Sequence, residues 1–215
     1  KLIDTPMTDG PTKPSRPEKL TKAHDRTRFE SGVAELDVWL QKYSWQNQRA
    51  GNATTYVSTH EGLVVGYYAI TVAGYARSAS PESVAKKAPD PVPCYLLARL
   101  AVDQEWQGLG LGWGLLRDAM QRVLELSRIV AAPALLVHVR DDAARDFYLH
   151  HAEFVPSPVD PLHLFLPMKA IAAAFARVEP PPPAARTEQR GVSTNPSGPI
   201  GTNEARRHGP AESGS

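Results

Sequence analysis

Gln107-Gly108-Leu109-Gly110-Leu111-Gly112 decides how this chain is read. Upstream, Tyr95 to Val102 is a short apolar stretch of strand character that ends Arg99-Leu100-Ala101-Val102-Asp103. Downstream, Leu115, Leu116, Ala119, Met120, Val123 and Leu124 recur at helical spacing. A glycine turn between a strand and a helix lets the backbone come close to an anion, while the helix directs its unpaired N–H groups and positive dipole end at the charge. The ligand suited to such a corner is a phosphate-bearing, nucleotide-like cofactor. No Gly-Lys-Ser/Thr closes the segment, so the phosphate-binding lysine loop is excluded.

Working outward, Thr54 to Ser58 and Leu63 to Ala73 are rich in Val, Thr, Tyr and Ile and flank His60-Glu61-Gly62, which predicts an antiparallel hairpin. A hairpin ahead of the glycine turn argues against the repeated strand–helix units of a dinucleotide-binding fold. Val33, Leu36, Trp39, Leu40 and Tyr43 predict an amphipathic helix from Gly32 to Tyr43, with Ser31 supplying its N-cap. Ser78 to Pro93 reads as a loop, Ala134 to Val139 as a strand, Ala143 to His150 as a helix and Leu162 to Pro167 as a closing strand. The fold class is α/β, in the sense of a mixed α+β sheet flanked by helices, in one domain over residues 24–175. Residues 1–23 and 176–215 lack apolar periodicity and are predicted to be disordered. Residues 1–6, ahead of the first methionine, stand outside the fold argument, and the basic tail residues Arg186, Arg190, Arg206 and Arg207 receive no role.

Composition narrows the function classes. The chain has 215 residues, 42% hydrophobic and 22% charged, which suits one globular domain with polar ends. Leu63 to Ala76 and Ile129 to Val139 are too short to cross a bilayer, where about 20 apolar residues are needed, so no membrane partner is expected. With no secretory signal in view and one cysteine, Cys94, a disulfide framework is excluded and a cytoplasmic location is expected. Between His24 and Phe175, 14 Lys and Arg face 16 Asp and Glu, a net of −2. A nucleic-acid partner must therefore be held by a local patch and not by global charge.

The strand, the Gln-x-x-Gly-x-Gly turn at Gln107, Gly110 and Gly112, and the later Ala144-x-x-Phe147-Tyr148 resemble the GNAT superfamily of N-acetyltransferases over roughly His24 to Ile171. Thr54-Thr55-Tyr56-Val57, Val65-Gly66-Tyr67-Tyr68, Leu97 to Asp103 and Leu162 to Pro167 are similar to a narrower group, the TacT-like toxins. The resemblance implies a GNAT fold: a mostly antiparallel central sheet with one splayed parallel pair. It implies acetyl-CoA as cofactor, with the diphosphate on backbone groups of Gln107, Gly108, Leu109, Gly110, Leu111 and Gly112 and the pantetheine arm paired with Leu100, Ala101 and Val102. An N–H of Ala101 or Val102 would point at the thioester oxygen, where charge grows during attack. Tyr148 would be the catalytic side chain, stabilising the departing thiolate, and Asp141 either contacts the pantetheine arm or caps the helix that follows. Beyond Tyr148 the usual family spacing is exceeded by one residue in Leu149-His150-His151-Ala152-Glu153-Phe154.

The same resemblance implies a type II toxin that acetylates the amino acid carried by charged tRNA and so blocks translation. Its implied partners are a small ribbon-helix-helix antitoxin, operator DNA through the antitoxin complex, and a second copy of itself in a homodimer. Transfer is direct from acetyl-CoA to a neutral amine; an α-amine has a pKa of about 7.7 to 8.0, so no dedicated base is needed. The alternatives are an acetyltransferase for a small-molecule or protein amine and a non-catalytic CoA-binding regulator. Arg77, Lys86, Lys87 and Arg99, joined by Arg26, Arg28 and Arg49, are candidates for an RNA-facing patch. His150 and His151 read as surface histidines, His138 as a packed or edge residue and Cys94 as a small buried hydrophobe; no metal site is expected.

Overall fold

The structure, a computed structural model, describes residues 13–176. All of these fall in one unit, Lys1–Pro180; a second, Pro181–Ser215, and with it the basic tail, lies outside the described residues. Strands β2 (Thr54–His60) and β3 (Leu63–Tyr75) pair antiparallel around Glu61 and Gly62, whose φ of 50° and 82° are the sign pattern of a type I′ turn. β3 pairs antiparallel with β4 (Val92–Val102), and β4 pairs parallel with β5 (Ala134–His138). β5 and β7 (His163–Pro167) are antiparallel, with β6 (Val155–Pro156) at the edge. The order is β1-β2-β3-β4-β5-β7-β6, so the sheet is mostly antiparallel with a single parallel pair, as the mixed α/β reading requires.

A parallel pair needs a crossover, and helix α4 (Leu111–Leu126) supplies it. Leu115, Leu116, Ala119, Met120 and Val123 bury one face of α4 against Tyr68, Ile70, Tyr95, Leu97 and Val102 of the sheet. Helix α5 (Asp142–His151) and helix α6 (Met168–Ala176) close the same side through Tyr148 and Ile171. The opposite face is covered at one end by α1 (Ala34–Val38), which runs through a π-helical stretch, Trp39–Tyr43, into α2 (Ser44–Arg49) over Val57, Val64, Tyr67 and Ala101. At the other end the short helix α3 (Glu82–Ala85) packs Val84 beside Val92, Cys94, Leu136 and Phe165.

Three sequence expectations need correction. Residues 13–23 are ordered: β1 (Glu18–Lys19) pairs with β2, Leu20 is 1% exposed in the core, and Arg122 Nη2 donates to the Pro17 carbonyl at 2.9 Å. One buried leucine and a series of hydrogen bonds to distant residues, among them Ser15 N to the Thr59 carbonyl at 2.7 Å, Leu20 N to the Thr55 carbonyl at 2.9 Å and Gln48 Nε2 to the Leu20 carbonyl at 2.7 Å, hold a segment that has no periodicity of its own. Residues 1–12 and 177–215, also expected to be disordered, lie outside the described residues. Ser31 does not cap the first helix: the N-cap is Val33, and the Ser31 hydroxyl donates instead to Asp37 Oδ1 at 2.5 Å. The loop before β4 contains α3, and α6 was not foreseen, because its Ala-rich run carries one strong apolar anchor, Ile171, after the closing strand.

Candidate active site

The site is built on a defect in β4. Ala69 of β3 faces Arg99 and Ile70 faces Leu97, so Ala98 has no partner and forms a bulge. The extra residue resets the alternation of the strand: Leu97 and Leu100, three apart, both pack on the α4 side, while Arg99 and Ala101 turn toward α1 and its π-helical continuation. At the same level the parallel pairing with β5 ends, its last rung being Leu97 with Val137. Beyond that rung the two strands diverge into a fork.

The ladder dictates what the fork offers. Asp103 N donates to the Val65 carbonyl at 2.9 Å, which makes Ala101 the hydrogen-bonded partner of Tyr67 and turns the N–H and C=O groups of Leu100 and Val102 away from β3, into the fork. The Val102 carbonyl is taken by Gln107 Nε2 at 2.9 Å. Left for a ligand are the Leu100 N–H and C=O and the Val102 N–H, the donor-acceptor row that an extended amide chain matches. Of the two N–H groups considered from sequence for the oxyanion, Val102 faces the fork and Ala101 does not.

At the open end of the fork lies the glycine corner. Gly108 and Gly110 have φ of 73° and 84°, conformations that only glycine adopts without strain. Gly110 is the N-cap of α4 and gives it no side-chain cap, so the amides of the first turn remain available. A Cβ on Gly112 would stand 3.5 Å from the Phe147 ring and 3.7 Å from Val102 Cγ2, an ordinary contact. The Gln107 side chain does not face a ligand; besides Val102 it binds the Ser31 carbonyl at 2.9 Å, tying the corner to the segment before α1. Leu109 is 70% exposed and Leu111 packs over Gly66, so these two contribute backbone alone.

Corner and fork open into one cleft of about 840 Å³, lined by Leu97 to Val102, Gln107, Gly108, Gly110, Gly112, Val137 to Arg140 and Tyr148. Tyr148 is 7% exposed, held edge-on between Phe147 and Phe154 with centroids 5.2 and 5.4 Å away. Burial pushes its phenol well above the ordinary tyrosine range, and among the described residues its hydroxyl has no hydrogen-bond partner, so Tyr148 borders the cleft as a neutral donor. Asp141 lies outside the lining; its Oδ1 accepts from Ala144 N at 2.8 Å as the cap of α5, and Oδ2 binds Arg140. The amide and guanidinium hold its carboxyl below the usual range.

His151 is half-buried and not a freely solvated histidine. It ends α5, stacks on Trp113 at 5.1 Å and lies 4.6 Å from Phe147, with Nδ1 2.8 Å from the Phe147 carbonyl, a wall of the cleft. His150 is exposed. Arg99 enters the cleft with its guanidinium 5.7 Å from the Trp39 ring, Nη1 on the Ala98 carbonyl and a buried Nε without a partner. Arg77, Lys86 and Lys87 are exposed around α3 and do not line the cleft. Cys94 is buried, and burial raises its thiol to about 11, which leaves it inert. No metal-binding cluster and no membrane-crossing helix occur among the described residues.

A family model described as the acetyltransferase (GNAT) family matches residues 20–154. The chain is 44% identical over 155 residues to a tRNA-acetylating toxin of Mycobacterium tuberculosis, covering 72% of this chain and 93% of that protein. Among solved structures, AtaT complexed with acetyl-methionyl-tRNAfMet superposes with a TM-score of 0.68 at 30% identity, covering 74% of this chain and 98% of that one. A tyrosine-to-phenylalanine mutant of AtaT bound to the C-terminus of the antitoxin AtaR and acetyl-CoA gives 0.64 at 27% identity, over 74% and 97%. With a splayed parallel pair, an uncapped glycine corner and these relatives, the chain belongs to the GNAT family of acetyltransferases.

Proposed function

We propose that the chain is a toxin that acetylates the α-amine of the amino acid on charged tRNA. The observation that carries the chemistry is the fork: unpaired Leu100 and Val102 groups on one arm and the Tyr148 hydroxyl in the same cleft, with the glycine corner at its mouth. The acceptor assignment draws on the 44% identical tRNA-acetylating toxin and on the AtaT complex with acetyl-methionyl-tRNAfMet.

Acetyl-CoA supplies the acyl group as an activated thioester. The amides of Gly108 to Gly112 meet the diphosphate, and Leu100 with Val102 accommodates the amide-bearing arm as an added strand would. The Val102 N–H, which faces the fork, would stabilise the oxygen that becomes negative in the transition state; loss of one such donor costs roughly 3 kcal/mol of barrier in other acyl transfers. Tyr148 donates to the departing sulfur. A thiol is the stronger acid, at about 8.5 against about 10 for phenol, and burial widens that gap, so Tyr148 stabilises the thiolate by hydrogen bonding and does not give up its proton. Asp141 serves as a helix cap that sets the direction of α5, and hence of Tyr148.

Arg99 lies where the acceptor enters, and Arg77, Lys86 and Lys87 stand on the α3 shoulder of the same sheet face, the arrangement that a 3′ end of RNA and its backbone phosphates require. The reading includes a ribbon-helix-helix antitoxin that covers this face and carries the complex to operator DNA, and a homodimer acting in the cytoplasm. The test is direct. Purified protein with acetyl-CoA and charged tRNA yields N-acetylated aminoacyl-tRNA and stops cell-free translation; untouched charged tRNA alongside an acetylated polyamine or peptide would assign the enzyme to another acceptor.

A further inference from the structure

The acetyl-transfer reading leaves one proton unassigned. An α-amine attacks in its neutral form, so no base is needed before attack, but its nitrogen becomes strongly acidic as the bond to carbon forms, and that proton passes either to solvent or to a group in the cleft. Tyr148 faces the sulfur and, being neutral, is a donor. The candidates on the opposite side of the sheet decide the matter.

His138 is the first β5 residue beyond the last parallel rung, Leu97 with Val137, so it stands at the vertex of the fork. Strand alternation places it with Ala134 and Leu136, on the face away from α4, whereas Tyr148 packs with Leu135, Val137 and Val139 on the α4 face. It lines the cleft and is exposed to it. Val139 N donates to the Leu162 carbonyl at 2.8 Å, which makes His138 and His163 a non-hydrogen-bonded pair whose side chains approach closely. Their rings stand 4.0 Å apart. His163 Nδ1 in turn lies 2.7 Å from the Tyr75 hydroxyl and 3.6 Å from Asp160 Oδ2.

We propose that His138 is the proton acceptor of the transfer: as the N–C bond forms and the C–S bond breaks, a ring nitrogen of His138 takes the proton from the acceptor amine. The sulfur leaves as thiolate beside Tyr148, His138 returns its proton to solvent and the thiolate takes one up there, so amine and thioester become amide and thiol. The groups facing His138 suit the task. His163 from β7 is a polar neighbour, Asp160 in the turn before β7 supplies a negative charge to an imidazolium, Tyr75 of β3 stands 6.3 Å away, and β4 contributes Ala98 and the cation Arg99 to the same cleft, the latter with its guanidinium over Trp39. Arg140, the nearest cation along the chain, is paired with Asp141. Burial, followed by the neighbouring His163, lowers the proton affinity of His138, so the ring is free to accept at neutral pH.

The test compares the full chain with His138→Gln and His138→Ala, using acetyl-CoA and mixed charged tRNA under single turnover from pH 5.5 to 9. Expected are unchanged acetyl-CoA binding by calorimetry, a rate at pH 7.5 lowered about 10²-fold or more, and partial rescue of His138→Ala by added imidazole. In the parent the acid limb has contributions from two ionisations, imidazole and amine; in the variants it falls to one. A His138→Gln rate within about threefold of the parent and an unaltered acid limb would overturn the assignment. So would ring-nitrogen NMR of the parent chain showing His138 protonated at pH 7.5, a measurement that needs no variant to fold. If the parent modifies a polyamine or peptide amine and not charged tRNA, the acceptor reading fails alone and the same comparison is made on that amine.

Discussion

Gln107 binds the Val102 carbonyl five residues behind it, closing the last residue of β4 and the first of the glycine corner into one ring at 2.9 Å. The same amide holds Ser31. Gln107→Ala removes both bonds and leaves the Val102 carbonyl competing for the arm of the ligand. The expected result is a KM for acetyl-CoA raised about tenfold with kcat little changed, and a stability loss of about 1–3 kcal/mol by denaturant titration.

Tyr148→Phe removes a hydroxyl that binds no protein group among the described residues, so the fold keeps its packing between Phe147 and Phe154. Acetyl-CoA affinity and Tm stay near the parent, while kcat falls about 10²-fold, the signature of an interaction made only in the transition state. Because burial raises the folded-state pKa, the phenol is protonated through the whole neutral range. The pH–rate profile therefore shows no alkaline loss from Tyr148 below about pH 10.

Gly110 and Gly112 separate conformation from space. At φ 84° an alanine at 110 is strained by about 1–2 kcal/mol whatever surrounds it, although no atom lies within 4 Å of its Cβ. Gly110→Ala lowers Tm and weakens acetyl-CoA binding; Gly112→Ala meets Phe147 at ordinary contact distance and keeps the parent Tm. Thermal melts of the two variants check the order.

Asp141→Ala tests the cap. The folded carboxyl titrates below its unfolded value of about 3.9, so its stabilising effect is full above that value and is lost as pH falls through the folded pKa. The variant melts below the parent at pH 7, and the difference closes toward pH 2. Acetyl-CoA affinity is unchanged by calorimetry, whereas a loss of affinity larger than the change in stability would return Asp141 to the cofactor arm.

The glycine corner was legible because its information is local: positive φ at Gly108 and Gly110 is a property of residue type. The hairpin and α4 were legible for the same reason, through turn chemistry and period. The vertex of the fork was not, because the bulge at Ala98 is defined by which residue of β3 stands opposite, a long-range pairing that no spacing in Leu97 to Val102 reveals. His138 read as a packed or edge residue for want of its partner, His163, 25 positions later. The wall formed by His151 had a signal in sequence, Trp113 in the first turn after the glycines, but only the fold brings the two rings together. Of the basic candidates, Arg99 alone enters the cleft, since charge says nothing of direction.

Ala98 divides folding from function in a single residue. Its removal would leave Leu97 next to Arg99 in regular alternation, with Leu97, Leu100 and Val102 still turned inward and Arg99 and Ala101 still turned toward the first helix. The hydrophobic interior would register no loss, yet the strand would straighten and its pairing with β5 could zip onward past Val137. What disappears is the gap itself. A flawless sheet here would be a well-folded, inactive protein, so selection for activity must preserve an irregularity that selection for stability would erase.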